Sequence, residues 1–286
     1  MTDKTTSFQI VQTINCRGRL LDLSKPVVMG ILNCTPDSFY DGQQKQKRDD
    51  VVYVERMIAE GATIIDIGGQ STRPGAIRMD ADAEWLRIRE LLSYVRRLFP
   101  DVFISCDTFY ASVAQRALDH GADIINDISF GKIDDQLLNV VARYKAPYVL
   151  MHMQGEPSTM QLNPEYTDVV DEVYTFLLHA KQRLQELGIT EVIIDPGFGF
   201  GKSVAHNYSL LKHLPVFRLL GLPILVGLSR KRMITNILNI TPVDALNGTT
   251  ALNMLALQQG ASVLRVHDVK EAIQTIKLRN AFDAAV

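Results

Sequence analysis

The sequence has no surplus of charge of either sign: 32 acidic side chains oppose 30 basic ones, for a formal net charge of −2. Without basic residues gathered on one face there is no footprint for a phosphate backbone, and nucleic acid is not an expected partner. Long apolar runs are missing too. The longest, such as Val27 to Leu32 interrupted by Gly30, have strand length and fall far short of the ~20 residues a membrane helix needs. The N-terminal stretch Met1-Thr-Asp-Lys-Thr-Thr-Ser7 is polar and leads into no apolar region. It reads as neither signal peptide nor membrane anchor, so no membrane association and a cytoplasmic location are expected. Cysteine is scarce: Cys16, Cys34 and Cys106 are odd in number, far apart and without a Cys-x-x-Cys pair. That speaks against zinc and redox motifs and for inert small residues near the core. No low-complexity segment or linker interrupts the chain, and a single domain over 1–286 is expected.

What is present is a globular profile, 286 residues with 47% hydrophobic and 22% charged, long enough for an α/β barrel of roughly 250 residues. From Val27 onward, short β-branched runs alternate with longer segments of helical period, the signature of βαβ units around a parallel sheet. Strands are expected at Val27–Asn33, Thr63–Gly68, Val102–Asp107, Asp123–Ile128, Pro147–Met153, Val192–Asp195, Ile224–Leu228 and Val263–Val266. Helices are expected at Val51–Glu60, Ala83–Phe99, Ser112–His120, Gln136–Tyr144, Tyr166–Leu187, Ser209–Leu220, Gly248–Gln259 and Val269–Phe282. Gly61, Gly121, Gly188, Gly221 and Gly260 read as helix stops. Ahead of this rhythm, Phe8–Ile14 and Arg19–Asp22 around Asn15-Cys16-Arg17-Gly18 form an expected hairpin placed to plug the barrel bottom. The expected fold is α/β, a (β/α)8 TIM barrel with an N-terminal β-hairpin.

In such a barrel the chemistry sits at the C-terminal ends of the strands, and here those ends are polar. They carry Asn33, Asp66, Asp107, Asn126 with Asp127, Asp195, Ser229 with Lys231, and Arg265 with His267. Side chains alternate faces with period two, so Ser105 and Asp107, Ile193 and Asp195, and Arg265 and His267 share faces. Met29, Ile31 and Asn33 repeat the pattern, apolar deep and polar at the mouth. Taken singly, an Asp after a strand is often a cap or turn former, and Asp127 and Asp268 are assigned to that class. As a ring, the residues point to a binding site, because packing gives no reason to gather so many polar groups at one end.

Three loops stand out. Asp195-Pro-Gly-Phe-Gly-Phe-Gly-Lys202-Ser203 has neither Walker A nor dinucleotide-fingerprint spacing. It reads as a flexible βα loop whose backbone can approach a flat ligand, with Phe198 or Phe200 as a wall. Asn33-Cys-Thr-Pro-Asp-Ser-Phe-Tyr-Asp-Gly42 and Gly68-Gly-Gln-Ser-Thr-Arg-Pro-Gly75 have the composition of mobile lids, the second bringing Arg73 over the site.

Together, Gly30-Ile-Leu-Asn-Cys-Thr-Pro-Asp-Ser-Phe39, Ser71-Thr-Arg-Pro-Gly75, Asn126-Asp-Ile128, Asp195-Pro-Gly-Phe-Gly-Phe-Gly-Lys202, Ser229-Arg-Lys231 and Arg265-Val-His267 resemble the dihydropteroate synthases. The match runs in order from about Val27 to the C-terminus. The resemblance implies a transferase of folate biosynthesis that joins 6-hydroxymethyl-7,8-dihydropterin diphosphate to 4-aminobenzoate, releasing pyrophosphate. It implies that Asp195, assisted by Asn126 and Asp107, reads the donor edge of the pterin, while Lys231 reaches the ring's carbonyl side. It places the diphosphate at Asn33, Thr72, Arg265 and His267, with Mg2+ held through Asn33 and the phosphates. Catalysis would rest on Arg265, His267, Lys231 and Arg73, and the 4-aminobenzoate pocket on Phe39, Pro74, Phe200 and Ser229. A homodimer through barrel helices and a sulfonamide target are further implications.

His152 is expected to give packing or supporting contacts, and Lys202 and Arg232 to be solvated. Tyr40 and Gln43 depart from the Ser and Gly expected in the first loop of the family, which bears on loop mobility. Two other readings compete: a corrinoid-type pterin methyltransferase, which would need no diphosphate groups, and a non-catalytic pterin-binding paralogue, whose site should show gaps.

Overall fold

A computed structural model describes residues 11–34, 43–70, 78–156, 160 and 163–285, with 43–49 as backbone alone. The chain enters through an antiparallel hairpin, β1 (Thr13–Cys16) and β2 (Arg19–Asp22), paired from Thr13↔Asp22 to Cys16↔Arg19. Its turn holds Arg17 at φ 56° and Gly18 at φ 97°, the double positive φ that suits the right-handed strand twist. The first hairpin strand therefore sits nearer the turn than the expected Phe8–Ile14, of which residues 8–10 lie outside the described residues.

Eight parallel strands follow: β3 (Val27–Asn33), β4 (Ile64–Gly68), β5 (Phe103–Asp107), β6 (Ile124–Asp127), β7 (Tyr148–Met151), β8 (Val192–Asp195), β9 (Leu225–Val226) and β10 (Val263–Val266). They pair in the order β8-β7-β6-β5-β4-β3-β10-β9. Closure comes from a parallel bridge, Ile194↔Ile224, with the Ile194 N–H donating to Pro223 O at 2.9 Å. The surrounding helices are α1 (Gln43–Ala59), α2 (Ala81–Leu98), α3 (Ala111–Asp119), α4 (Leu137–Tyr144), α5 (Val169–Glu186), α6 (Val204–Lys212), α7 (Arg232–Leu238), α8 (Leu246–Gln258) and α9 (Val269–Asp283). The architecture is the expected (β/α)8 barrel, and the five glycines read as helix stops all adopt positive φ.

Two apolar layers hold it. Outward-facing strand residues such as Val28, Ile65, Ile104, Ile125, Leu150, Ile194 and Leu264 pack against the helices as the main core. The inward set Met29, Ile64, Ile124, Val149, Ile193, Leu225 and Val263 meets Ile14, Cys16, Leu21 and Leu23 of the hairpin region in a second cluster. The hairpin thus plugs the barrel floor, as its sequence position suggested. All three cysteines are buried, and burial pushes the Cys16 and Cys34 thiols up to about 12, which leaves them inert near neutral pH.

Four elements differ from expectation, the first being α1, which begins at Gln43, eight residues before the expected Val51. The helix expected over Ser209–Leu220 stops at Lys212 and resumes as a 3-10 turn, Leu214–Leu220, because Pro215 has no N–H to continue the ladder. The seven-residue α7 was not expected; its buried Met233, Ile234 and Thr235 span too few turns to show a period. The strand expected at Ile224–Leu228 contracts to two residues. No helix among the described residues is long and apolar enough to cross a membrane.

Candidate active site

Above the apolar floor, the same inward parity delivers polar side chains. Arg265 of β10 reaches across the barrel: its Nε donates to Asp66 Oδ2 at 2.7 Å, and its Nη2 lies 2.6 Å from the same oxygen and 2.7 Å from Asp107 Oδ2. Asp66 also accepts the Asn126 Nδ2 donor at 3.1 Å. With that donor engaged, the carbonyl oxygen of Asn126 is the end left to accept from a ligand. Burial opposes charge at both partners, with different outcomes. It raises the Asp107 carboxyl to about 7 despite Arg265, with Asp66 adding to the rise. Arg265, although desolvated, is held above the usual arginine range by Asp66 and Asp107 and stays charged.

Asp195, at the end of β8, is 7% exposed and accepts the Gly197 N–H at 2.7 Å through Oδ1. Burial raises its pKa, against the attraction of Lys231. Lys231 directs its Nζ to Phe198 O and stands 4.7 Å above the Phe200 ring. Burial lowers its pKa to about 8, with Asp195 opposing. At the last strand ends, Ser229 Oγ lies 2.9 Å from His267 Nδ1 and accepts the His267 backbone N–H at 3.3 Å. Ser229 thus ties both the ring and the backbone of His267 in place at the mouth. Asn33 ends β3, half-buried at the mouth.

Asp66, Asp107, Asn126, Asp195, Ser229, Lys231, Arg265 and His267 therefore cluster around one mouth, with Asn33 and Phe200 at its rim. Phe39, Thr72, Arg73, Pro74 and Tyr40 lie outside the described residues, as do 35–42 and 71–75 of the two polar loops read as lids. Gln43 opens α1, among the residues described by backbone alone.

Several readings need correction. Lys202 is not solvated but 3% exposed, its Nζ on Gly197 O at 2.9 Å, Phe200 O at 3.0 Å and His152 Nδ1 at 3.0 Å. Burial brings its pKa down to about 7. The Gly-rich loop is accordingly a hydrogen-bonded, packed segment rather than a flexible one. Within it Phe198 is fully buried in the outer core, so the wall is Phe200. Asp268 stands at the N-cap of α9 without capping it and instead holds Arg230 through two bonds, 2.7 and 3.0 Å. Other readings hold: Asp127 accepts from Ser129 N, Gly131 N and the Tyr148 hydroxyl as a turn former, His152 is a supporting residue, and Arg232 is exposed. The sequence reading gave Asp66 no role; its only signal was the polar strand end, since the Arg265 contact spans 199 positions.

Comparisons with known proteins identify the family. A family model described as pterin binding enzyme matches residues 29–267. Dihydropteroate synthase from Escherichia coli (strain K12) is 44% identical over 268 residues, covering 93% of this chain and 94% of that protein. The Haemophilus influenzae synthase is 45% identical over 267 residues, covering 92% and 96%. Among solved structures, Yersinia pestis dihydropteroate synthase in a sulfonamide drug complex superposes with a TM-score of 0.90 at 42% identity, over 96% of this chain and 100% of that one. The Xanthomonas albilineans synthase with 4-aminobenzoic acid gives 0.90 at 40% identity, over 96% and 99%. The chain therefore belongs to the pterin-binding enzymes. Its place among them is with the dihydropteroate synthases, transferases that join a pterin-methyl diphosphate to 4-aminobenzoate and release pyrophosphate. The methyltransferase and non-catalytic alternatives are set aside by these relatives.

Proposed function

We propose that this site makes dihydropteroate by stabilising a departing diphosphate and positioning the amine, without a strong general base. The observation that carries the reading is the Arg265 geometry: a guanidinium kept charged between Asp66 and Asp107 at the mouth of the barrel. A flat pterin offers paired N–H donors along one edge, and Asp195, Asn126 and Asp107 are acceptors suited to it, with Lys231 for the carbonyl side. Paired, desolvated hydrogen bonds of this kind orient as well as bind. As the pterin takes Asp107, Arg265 is released toward the diphosphate, where His267, Asn33, Thr72 and Arg73 would supply further donors and charge. The C–O bond breaks ahead of attack because the pterin delocalises the resulting cation, so preorganised charge on the leaving group carries the catalysis.

Among the described residues no group of three His, Cys, Asp or Glu side chains forms a metal cage. Mg2+ keeps waters and takes phosphate oxygens, so one protein ligand, the amide oxygen of Asn33, would suffice for it here. When bound, the ion neutralises diphosphate charge. The 4-aminobenzoate pocket is assigned to Phe39, Pro74, Phe200 and Ser229, and sulfonamides, as mimics of that amine, would compete there. A cytoplasmic homodimer completes the reading. Ile237 and Leu238 of α7, Leu255 of α8 and the intervening Val243 are 46–77% exposed, an apolar surface that a second copy would cover.

Purified protein given the pterin diphosphate should release pyrophosphate only when 4-aminobenzoate and Mg2+ are both present, with dihydropteroate seen by mass. Product formation undiminished by chelation would remove the metal from the scheme. Tight pterin diphosphate binding without product would remove catalysis.

A further inference from the structure

The Gly-rich loop between β8 and α6 gives four of its carbonyl groups to side-chain donors. Phe198 O takes Lys231, Gly201 O takes the Tyr166 hydroxyl at 2.8 Å, and Gly197 O and Phe200 O both take Lys202. The N–H groups are engaged as well: Gly197 to Asp195, Gly199 to Asn207 Oδ1 at 2.7 Å, and Phe200 to Gly197 O at 3.1 Å. The loop is pressed against the end of β7, so that a Cβ on Gly197 would lie 1.9 Å from His152 O and one on Gly201 2.4 Å from Gln154 O. Lys202 bridges these two surfaces: its remaining donor meets His152 Nδ1 at 3.0 Å, with His152 O a longer alternative at 3.3 Å. Burial and Lys202 hold His152 neutral, its pKa near 3, as an accepting nitrogen requires.

An unpaired buried carbonyl costs more than an exposed one, and an ammonium has three donors to give. Among the described residues, Lys202 is thus the side chain that ties Gly197, Phe200 and His152 together. Phe200 is the wall whose face Lys231 overlies at 4.7 Å. Asp195 has an anchor of its own beside the Gly197 N–H that its carboxylate accepts: its backbone O takes the His152 N–H at 3.1 Å within the sheet ladder. The two substrates therefore depend on the staple unequally.

We propose that Lys202 is a positioning residue for the amine substrate, a buried staple that fixes the Phe200 wall of the 4-aminobenzoate pocket while leaving the pterin reader Asp195 in place. The proposal rests on the assignment of Phe200 to that pocket. Lys202→Met, in the full-length protein, keeps the volume of the side chain and removes its donors. It should raise the KM for 4-aminobenzoate tenfold or more while the Kd for pterin diphosphate with Mg2+ changes less than about threefold. Hydrogen exchange at the amides of Gly199 and Phe200 should accelerate at least tenfold, with those of β7 and β8 unchanged. Lys202→Arg, which keeps the charge but cannot aim three donors at these acceptors, should show the same split at smaller size, and carries the test if the methionine variant does not fold. Equal losses for both substrates with faster exchange throughout β7 and β8 would overturn the staple. Local acceleration with an unchanged 4-aminobenzoate KM would overturn the proposal through its premise, by removing the amine from Phe200.

Discussion

At the scale of single residues, the barrel mouth sets one buried guanidinium against two carboxylates: Arg265 lies 2.6 Å from Asp66 and 2.7 Å from Asp107, and removing it would leave them uncompensated at a cost of roughly 3–5 kcal/mol. Asp195, Lys231 and Lys202 are held instead by backbone groups, through the Gly197 N–H and the Phe198, Gly197 and Phe200 carbonyls. Glu84, in the first turn of α2, lies just outside this set, fully buried beneath the Gly69 backbone. Burial raises it to about 7, and the neighbouring Asp107 adds to the rise while Thr108 and Arg87 oppose. Between the unfolded value of 4.5 and about 7 the folded state binds more protons than the unfolded one. Stability from this group therefore falls as pH rises through that window and levels off above it. Glu84→Gln removes the titration. Relative to wild type, the variant should gain stability between pH 5 and pH 7.5, on the order of 2–3 kcal/mol, in urea unfolding curves. A constant difference across that range would count against a native carboxyl near 7. Nothing in the sequence distinguished Glu84 from the solvated acids of other helix starts, because its burial is set by the close approach of Gly69 on a neighbouring strand end.

Elements were legible where period and length reinforced each other. β3, β8 and β10 fall where their β-branched runs end, and α9 runs from Val269 to within one residue of its expected end. The Gly-rich loop is packed where its composition suggests flexibility, because glycine permits tight packing as readily as it permits mobility. Here Gly197, Gly199 and Gly201 take φ values of 73°, 79° and 62° to bring the loop against β7. Gly197→Ala combines a left-handed backbone with a Cβ 1.9 Å from His152 O. It should lower stability by about 2 kcal/mol or more, seen as a reduced melting temperature, and weaken binding of 4-aminobenzoate. A variant as stable and active as wild type would mean that the loop can leave β7 freely.

At the scale of the molecule, the hairpin seals one end of the barrel with Ile14, Cys16, Leu21 and Leu23 and leaves the other as the site. The exposed apolar side chains around α7 and α8 give the proposed dimer its test. Wild-type protein should sediment as a dimer at micromolar concentration, and Ile237→Glu should shift it toward monomer; a wild-type monomer across that range would eliminate the assembly. The sequence alone determined the barrel, its floor plug, the ring of strand-end side chains and the family, because alternation, helical period and contiguous motifs are local properties that survive in one dimension. Tertiary structure alone decided the electrostatics. Whether Lys202 meets solvent or three acceptors, whether Asp66 is a cap or the hub of Arg265, and whether Asp268 caps α9 or grips Arg230 depend on groups far apart in the chain. Burial and pairing are set by the groups the folded chain brings together around a side chain, and a sequence lists only its neighbours along the chain.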